Sequence, residues 1–443
     1  MQDQIISALN ILWDIIEHWW WVFLPLILYP RAKFFWLYGR GEAWNLAQKS
    51  VLLEIRMPQE VLKPIRAMEQ VFSAIWGNIL DPPDRWEKWI EGKSLLSVQI
   101  EIVSLNGEPH LYLRVHESRR AAVEASIYSQ YPEAEISMAD DYTKKVPQDI
   151  PNKDWEMWGT DYMMSKEDVY PIRTYSKFFE EQSEAKEEKR IDPMATLLEG
   201  LGIFGPGEQL WIQIAAKSIL NSKKPEEGQQ FFKRGRAVAD KLAKRPEKAK
   251  AKSILLEAAG ELITGKPPGA EEKKDELKIE SLLPVEARMT PGEKDIVAGV
   301  EEKISKRMFE CYIRFIYLAK RDVYSGGAKA VPFGHFQQFA TENLNALVPL
   351  GRTLTKIKKH LLFPPANLVR LRRLFVRKRR LFFRYIKRMP PLFPKPGGTF
   401  LLNSEELATL FHFPGHTVAP APAVSRVESK KGEAPPGLPI EEE

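Results

Sequence analysis

An apolar segment at the N-terminus, followed at once by the first positive charges, is the strongest constraint on this chain. Residues Ile5–Tyr29 read IISALNILWDIIEHWWWVFLPLILY, and no Lys or Arg precedes Arg31. A helix of this length can cross a hydrocarbon core about 30 Å thick. Positive charge flanks only the C-terminal side, so this side is predicted to be cytoplasmic. We therefore expect residues 1–48 to be a single-pass membrane anchor carrying a cytoplasmic body.

The anchor itself is predicted from large apolar side chains. These are Trp19, Trp20, Trp21, Phe23, Leu24, Leu26, Ile27 and Leu28. Asp14, Glu17 and His18 interrupt the segment, and a charge at the centre of a bilayer costs about 2.5–3.5 kcal/mol, so these residues are expected near the outer interface. A helix that is buried, or that lies in the interface, is the alternative. A secretory signal is disfavoured, because a basic leader and a small-residue cleavage site are both missing.

The region 49–180 has the spacing of a small α+β domain. Its pattern of apolar residues predicts strands at Val51–Met57, Leu95–Leu105, His110–His116 and Ala134–Ala139, with helices at Gln59–Asn78 and from Ser118. Asn106-Gly107 is a strong hairpin signal between the two middle strands. The predicted order is β-α-β-β-α-β, which is the ferredoxin-like arrangement.

A second α+β domain is predicted over residues 191–350. Strict alternation at Lys306–Arg321 indicates a long strand, and a helical or disordered insertion is expected at 222–300. The Pro-rich tail at 415–443 is predicted to be disordered. Cys311 is the only cysteine, which excludes an intramolecular disulfide and suits a reducing compartment.

The segment 352–389 carries most of the chemistry that the sequence suggests. It holds 14 Lys or Arg residues and no Asp or Glu. Apolar residues at helical spacing predict a basic amphipathic helix that buries Leu371, Leu374, Phe375, Phe382, Tyr385, Ile386 and Met389. The cations predicted to bind phosphate are Arg370, Arg372, Arg373, Arg377, Lys378, Arg379, Arg380, Arg384, Lys387 and Arg388. Three interpretations stay open: nucleic acid, an anionic lipid surface or acidic partner, and an ordinary solvated face.

Catalytic motifs are not found in the sequence. Gly260–Pro267 resembles a phosphate-binding P-loop but has Pro267 where a Mg²⁺-binding Ser or Thr is needed. His412 and His416 are separated by Pro414-Gly415, which excludes a regular helix between them, and they lack partners for a zinc site. We therefore predict a protein that is not an enzyme and that binds no metal or cofactor.

Several segments resemble the N-terminal, non-motor region of bacterial type IV secretion (conjugation) ATPases of the FtsK–HerA superfamily, a bacterial domain of unknown function. The resemblance is carried, in this order, by Leu52–Pro58, Ala67–Val71, His116–Ile136, Trp158–Tyr175, Asp192–Ile214 and Leu401–Pro414. The last stretch belongs to a closing segment, 398–414, that precedes the Pro-rich tail.

The resemblance implies a component of a DNA- or protein-translocation machine at the bacterial inner membrane. In longer relatives the linker leads into a motor domain with its P-loop, and this chain has no such motif, so either the motor is encoded separately or the chain is a fragment of a longer ATPase. Its expected partners are therefore a P-loop ATPase motor on a separate chain, the membrane, single-stranded DNA and further copies of itself. The alternative is a membrane-bound scaffold or adaptor whose basic helix binds anionic lipid.

Overall fold

The computed structural model describes residues 2–57, 63–178, 192–220, 230–243, 289–359, 365–391 and 398–414. Most of the predicted insertion and the whole predicted tail lie outside these residues. The helices are α1 (Gln2–Ala47), α2 (Ile65–Ile79), α3 (Arg120–Tyr128), α4 (Ala195–Leu201), α5 (Phe231–Leu242), α6 (Pro291–Ser305), α7 (Ala330–Gln337), α8 (Pro365–Leu368), α9 (Arg370–Ile386) and α10 (Ser404–Leu410). The strands are β1 (Ser50–Arg56), β2 (Ser97–Leu105), β3 (Glu108–His116), β4 (Glu135–Ala139), β5 (Trp155–Met164), β6 (Glu208–Ser218), β7 (Met308–Lys320), β8 (Leu347–Pro349) and β9 (Phe400–Asn403).

The strands of the described residues form one antiparallel sheet, which confirms the predicted mixed α+β class. Their order is β4-β1-β3-β2-β6-β7-β5-β8, and β9 pairs with the first residues of β7. Strands β2 and β6 pair along nearly their whole length, from Ser97 opposite Lys217 to Leu105 opposite Gln209. A single sheet thus crosses the boundary between the two predicted domains.

The strand order is symmetric about the β2–β6 pair. Reading outward, one half runs β2-β3-β1-β4 and the other runs β6-β7-β5-β8. In each half, the strand that comes first in the chain lies between the strands that come third and fourth in the chain. This strand is β1 in one half and β5 in the other. The sequence shows no clear repeat, so the similarity of the two halves is visible in strand pairing alone.

One face of the sheet carries the main core. Helices α2, α3, α4, α7 and α10 contribute buried residues to this core. The predicted alternation in β7 is confirmed, because Phe309, Cys311, Ile313, Phe315 and Tyr317 all belong to this core. The next residues along the strand, such as Arg314 and Ile316, consequently face the other side.

The opposite face is covered by the basic helix α9. Leu381, Phe382 and Tyr385 are buried there, and the Tyr385 ring lies 5.3 Å from the Trp211 ring. Gly159 in β5 permits this close packing, since a Cβ at that position would lie 3.0 Å from Leu381 Cδ2. The basic helix predicted over 352–389 is observed at Arg370–Ile386 and docks on the sheet through its C-terminal half.

Helix α1 differs from the predicted anchor. It continues from Gln2 to Ala47 and contains Pro25 and Pro30. Among the described residues, no helix combines the length and the apolarity that a membrane crossing requires, so the predicted span over Ile5–Tyr29 is not supported. Polar residues within that span, Asp14 and Glu17 among them, reduce its apolarity.

The residues predicted to form the anchor can be placed only in part. Helix α1 leaves exposed the side chains of Trp19, Trp21, Leu24, Leu26, Ile27 and Leu28. The side chains of Trp20 and Phe23 lie outside what the structure describes.

The closing segment is an integral part of the fold. Strand β9 and helix α10 are buried throughout. Asn403 and Glu406 form a capping box at the start of α10, and Glu406 is paired with the buried Lys303 at 3.1 Å. His412 lies 2.9 Å from the Asp192 carboxylate in the interior.

Candidate functional site

The C-terminal end of α9 is fixed by an arginine in an unusual backbone conformation. Arg388 has φ of 51°, in the left-handed region that favours glycine. The Met389 N–H donates to the Arg384 carbonyl and the Arg388 N–H donates to the Tyr385 carbonyl. These two bonds form a Schellman motif with Arg388 at the position normally held by glycine.

The Arg388 side chain explains why arginine stands there. Its guanidinium pairs with the Glu101 carboxylate at 2.9 Å and with the Asp141 carboxylate at 2.7 Å. Burial raises the pKa of Asp141, but hydrogen bonds and attraction from Arg388 outweigh it and hold this pKa at about 2. The hydroxyl group of Tyr142 donates to Glu101. A buried polar network therefore holds the end of α9 against the middle of the sheet.

A segment without regular secondary structure follows β8, contains Thr353 and Thr355, and lies beside β5. It forms one wall of the candidate site, and α9 forms the other. The Thr353 and Thr355 hydroxyl groups accept hydrogen bonds from the Asp161 and Gly159 N–H groups. Arg377 of α9 then reaches this segment and donates to the Leu354 carbonyl at 2.7 Å. The segment and the helix are thus held at a fixed separation.

Between this segment and α9 lies a cleft of about 460 Å³, and arginine is the most frequent residue in its lining. We call it the arginine cleft, and its arginines are Arg352, Arg372, Arg373, Arg377, Arg380 and Arg384. Burial, followed by repulsion from Arg373, lowers the pKa of Arg377. Positive charge is therefore concentrated here well beyond what an ordinary helix face carries.

The acidic residue in the lining does not neutralise this charge. Asp161 is buried and pairs with the buried Arg314 at 2.9 Å. Arg384 donates to the Pro390 carbonyl and lies 3.8 Å from Glu42, so it is partly compensated. Among the described residues, Arg352, Arg372, Arg373 and Arg380 have no hydrogen-bond acceptor or ion-pair partner. Four guanidinium groups are thus available to an external anion.

The predicted phosphate-binding cations fall into two groups. Arg372, Arg373, Arg377, Arg380 and Arg384 line the arginine cleft. The others lie outside its lining.

The cations outside the cleft are mostly occupied by the protein itself. Lys378 pairs with Glu156 at 2.8 Å, and Arg379 donates to the Asp149 carbonyl. Arg370 donates to the Ile357 carbonyl, whereas Lys387 is exposed. The prediction that Arg388 binds external phosphate is revised, because its guanidinium is internally paired.

The predicted apolar face of α9 is only partly buried. Phe382, Tyr385 and Met389 are buried as expected, but Leu371 is 68% exposed and Phe375 is 48% exposed. The sequence pattern could not separate these residues because they all have helical spacing. The N-terminal half of the helix therefore presents both cations and apolar side chains.

Three residues of the site were missed at the level of sequence. Arg352 precedes the helix by many positions, and only the fold brings it to the cleft. Arg314 and Asp161 occupy buried strand positions within apolar stretches. A charged residue at such an alternating position is a usable signal, since charge is rarely buried without a partner.

No protein-family model matches this chain, and a search of curated proteins finds no similar sequence. The resemblance to type IV secretion ATPases therefore stays a prediction. Within the part of the chain that the structure describes, no group of His, Cys, Asp and Glu residues is suited to hold a metal ion. What the site can do follows from its charge: guanidinium groups bind phosphate through paired, charge-assisted hydrogen bonds.

Proposed function

We propose that this chain is an accessory component of a type IV secretion-like translocation machine at the bacterial inner membrane. In this role it guides single-stranded DNA toward a separate P-loop ATPase motor. The arginine cleft carries the proposal, because it offers four unpaired guanidinium groups in one rigid place. The place in a secretion machine comes from the resemblance, and the DNA role comes from the cleft.

The chemistry of the cleft suits the backbone of a single strand. Arginine contacts to phosphate supply affinity without sequence preference. Phe375 and Phe383 are exposed on the same helix, and exposed aromatic rings provide platforms on which unpaired bases stack. A sequence-blind surface of this kind is what a strand in transit requires.

The proposal extends to the finer architecture. We infer that each half of the sheet is a ferredoxin-like unit, with β1, α2, β2, β3, α3 and β4 forming the first. The strand order β4-β1-β3-β2 supports this, because it is the order of a split βαβ unit. Sheets of this kind serve many functions, so the fold by itself does not select among them.

The motor partner is inferred from the resemblance alone. We expect a P-loop ATPase encoded beside this chain to co-purify with it from membranes, and we propose no catalytic role for the chain itself. An ATPase that binds equally well to unrelated membrane proteins would contradict this partnership. Self-association stays a prediction.

Binding of a fluorescent oligothymidine, followed by anisotropy, tests the DNA role. The variant Arg372→Glu/Arg373→Glu/Arg380→Glu should lose at least about tenfold in affinity, because three favourable phosphate contacts become repulsive. The matched control is Lys233→Glu/Arg236→Glu/Lys241→Glu, which makes the same charge change on exposed positions of α5. Equal losses of affinity in both variants would show that only the net charge of the protein matters, and would exclude the cleft as the binding site.

A membrane-bound scaffold is the second candidate. It is favoured by the exposed apolar residues of α9, since cations mixed with Leu and Phe suit an anionic lipid surface. Flotation with vesicles containing phosphatidylglycerol separates the two candidates. If the cleft variant loses vesicle binding but keeps oligothymidine binding, the scaffold is the better account.

A further inference from the structure

A second surface of the molecule combines exposed aromatic rings with positive charge. It joins the part of α1 around Trp36 to a π-helical turn at Glu87–Glu91. None of its residues lines the arginine cleft. A role for this surface is therefore independent of DNA binding in the cleft.

Specific contacts hold the two elements together. The Trp36 indole N–H donates to the Trp89 carbonyl at 2.8 Å, and the Lys33 ammonium group lies 5.0 Å from the centre of the Trp89 ring. Arg40 donates to the Ile90 carbonyl. Gly92 has φ of 78°, and a Cβ there would lie 2.4 Å from the Arg40 carbonyl oxygen. Glycine at this position thus allows α1 to approach the turn closely.

The outer side of this junction is apolar. Trp86 is 66% exposed and Trp36 is 53% exposed, and Phe35 of α1 and Ile90 of the turn are exposed as well. We call these four residues the aromatic collar. Four large exposed apolar side chains on two contacting elements are unusual on a water-facing surface and indicate a binding surface.

On the α1 side the charge beside the aromatic collar is positive, whereas the turn itself carries Glu87, Lys88 and Glu91. From His18 to Gly41 the chain contains Arg31, Lys33 and Arg40 but no Asp or Glu. Glu87 of the turn is already paired with Lys93 at 2.8 Å. A negatively charged partner surface is therefore favoured on the side of α1.

We propose that the aromatic collar docks onto the surface of an anionic lipid bilayer. Tryptophan is enriched at the membrane interface, where its ring meets the headgroup level and neighbouring Lys and Arg meet lipid phosphates. The Trp36 indole N–H already has an acceptor within the protein, so the ring enters the interface without an unpaired donor. The collar is formed by the sides of a helix and a turn rather than by a groove, which suits an extended surface.

A fluorophore placed in the collar tests this docking in the full chain. Cys311 is fully buried, so a cysteine introduced as Trp86→Cys is the accessible thiol for an environment-sensitive NBD label. With vesicles of phosphatidylcholine and phosphatidylglycerol, we expect its emission to shift to shorter wavelength and its quenching by iodide to be lost. With phosphatidylcholine alone the shift should be much smaller.

The matched control is a label at Ile203→Cys, which is 76% exposed. This residue lies near Gly107, beyond the end of β2 opposite to the turn. A protein that binds the vesicles while the label at position 86 stays in water would overturn the proposal. Failure to bind anionic vesicles, or equal shifts at positions 86 and 203, would overturn it as well.

A second variant tests the energetics of the docking. Phe35→Ser/Trp86→Ser/Ile90→Ser removes apolar area only at exposed positions, so folding should be unaffected. Affinity for anionic vesicles should fall by about tenfold or more, since interfacial binding scales with buried apolar area. Ile203→Ser/Val323→Ser/Met138→Ser is the control, and an equal loss in that control would contradict a role for the collar.

Discussion

Arg388 combines two tasks that usually belong to different residues. Its backbone ends helix α9 in a left-handed conformation, and its side chain neutralises two carboxylates under that helix. Glycine would suit the backbone better but would leave Glu101 buried without a cation. A non-glycine residue at positive φ is held there by its surroundings.

Replacing Arg388 separates the two tasks. Arg388→Gly relieves the backbone but removes the cation, so the free energy of unfolding should fall by about 3–5 kcal/mol. Urea denaturation at neutral pH measures this, with Lys387→Ala as a control that should stay within about 0.5 kcal/mol of the wild type. A fully stable Arg388→Gly variant would contradict the role of the ion pair.

The same network predicts how stability depends on pH. The pKa of Asp141 is about 2 in the folded protein, below its ordinary value of 3.8. Its stabilising contribution is therefore present above about pH 4 and is lost as the pH falls toward about 2. Urea titrations across this range should show a smaller loss in Asp141→Asn than in the wild type. An identical loss in both proteins would exclude Asp141 as the titrating group.

At the scale of elements, α9 has docked side chains and side chains that face the cleft. Leu381, Phe382 and Tyr385 in its C-terminal half pack on the sheet, whereas the arginine cleft runs along the helix from Arg372 to Arg384. Gly159 and the contacts of Arg377 set the distance between the helix and the neighbouring strand. Stability and binding are thus assigned to different side chains of one helix.

Two adjacent phenylalanines test this division. Phe382 is 1% exposed and Phe383 is 54% exposed. Phe382→Ala should lower the free energy of unfolding by about 3–5 kcal/mol, because it leaves a cavity between α9 and the sheet. Phe383→Ala should change it by no more than about 0.5 kcal/mol. Similar effects on thermal or urea unfolding would show that the helix does not dock in this orientation.

At the scale of the whole molecule, one sheet separates two environments. The main core and the closing segment occupy one face, while α9 occupies the other. The arginine cleft is therefore built on a sheet whose reverse side is fully packed. A rigid support of this kind keeps the guanidinium groups in place without relying on loops alone.

Much of this fold follows from patterns in the sequence. Alternation predicted β2, β3 and β7, and the Asn106-Gly107 turn fixed the hairpin between β2 and β3. The pairing of β2 with β6 could not be predicted, because strand partners distant in the chain leave no local signal. For the same reason, the approach of Arg352 to α9 could not be predicted. The left-handed conformation of Arg388 could not be predicted either, because few residues other than glycine and asparagine adopt it.

The salt dependence of oligothymidine binding tests the central claim most directly. Each phosphate neutralised on a single strand contributes a slope of about −0.7 in a plot of log affinity against log salt concentration. Replacing Arg372, Arg373 and Arg380 by Gln should flatten the slope by about 2, while Lys233→Gln/Arg236→Gln/Lys241→Gln should leave it unchanged. A cleft variant with the wild-type slope would show that the arginine cleft does not hold the strand.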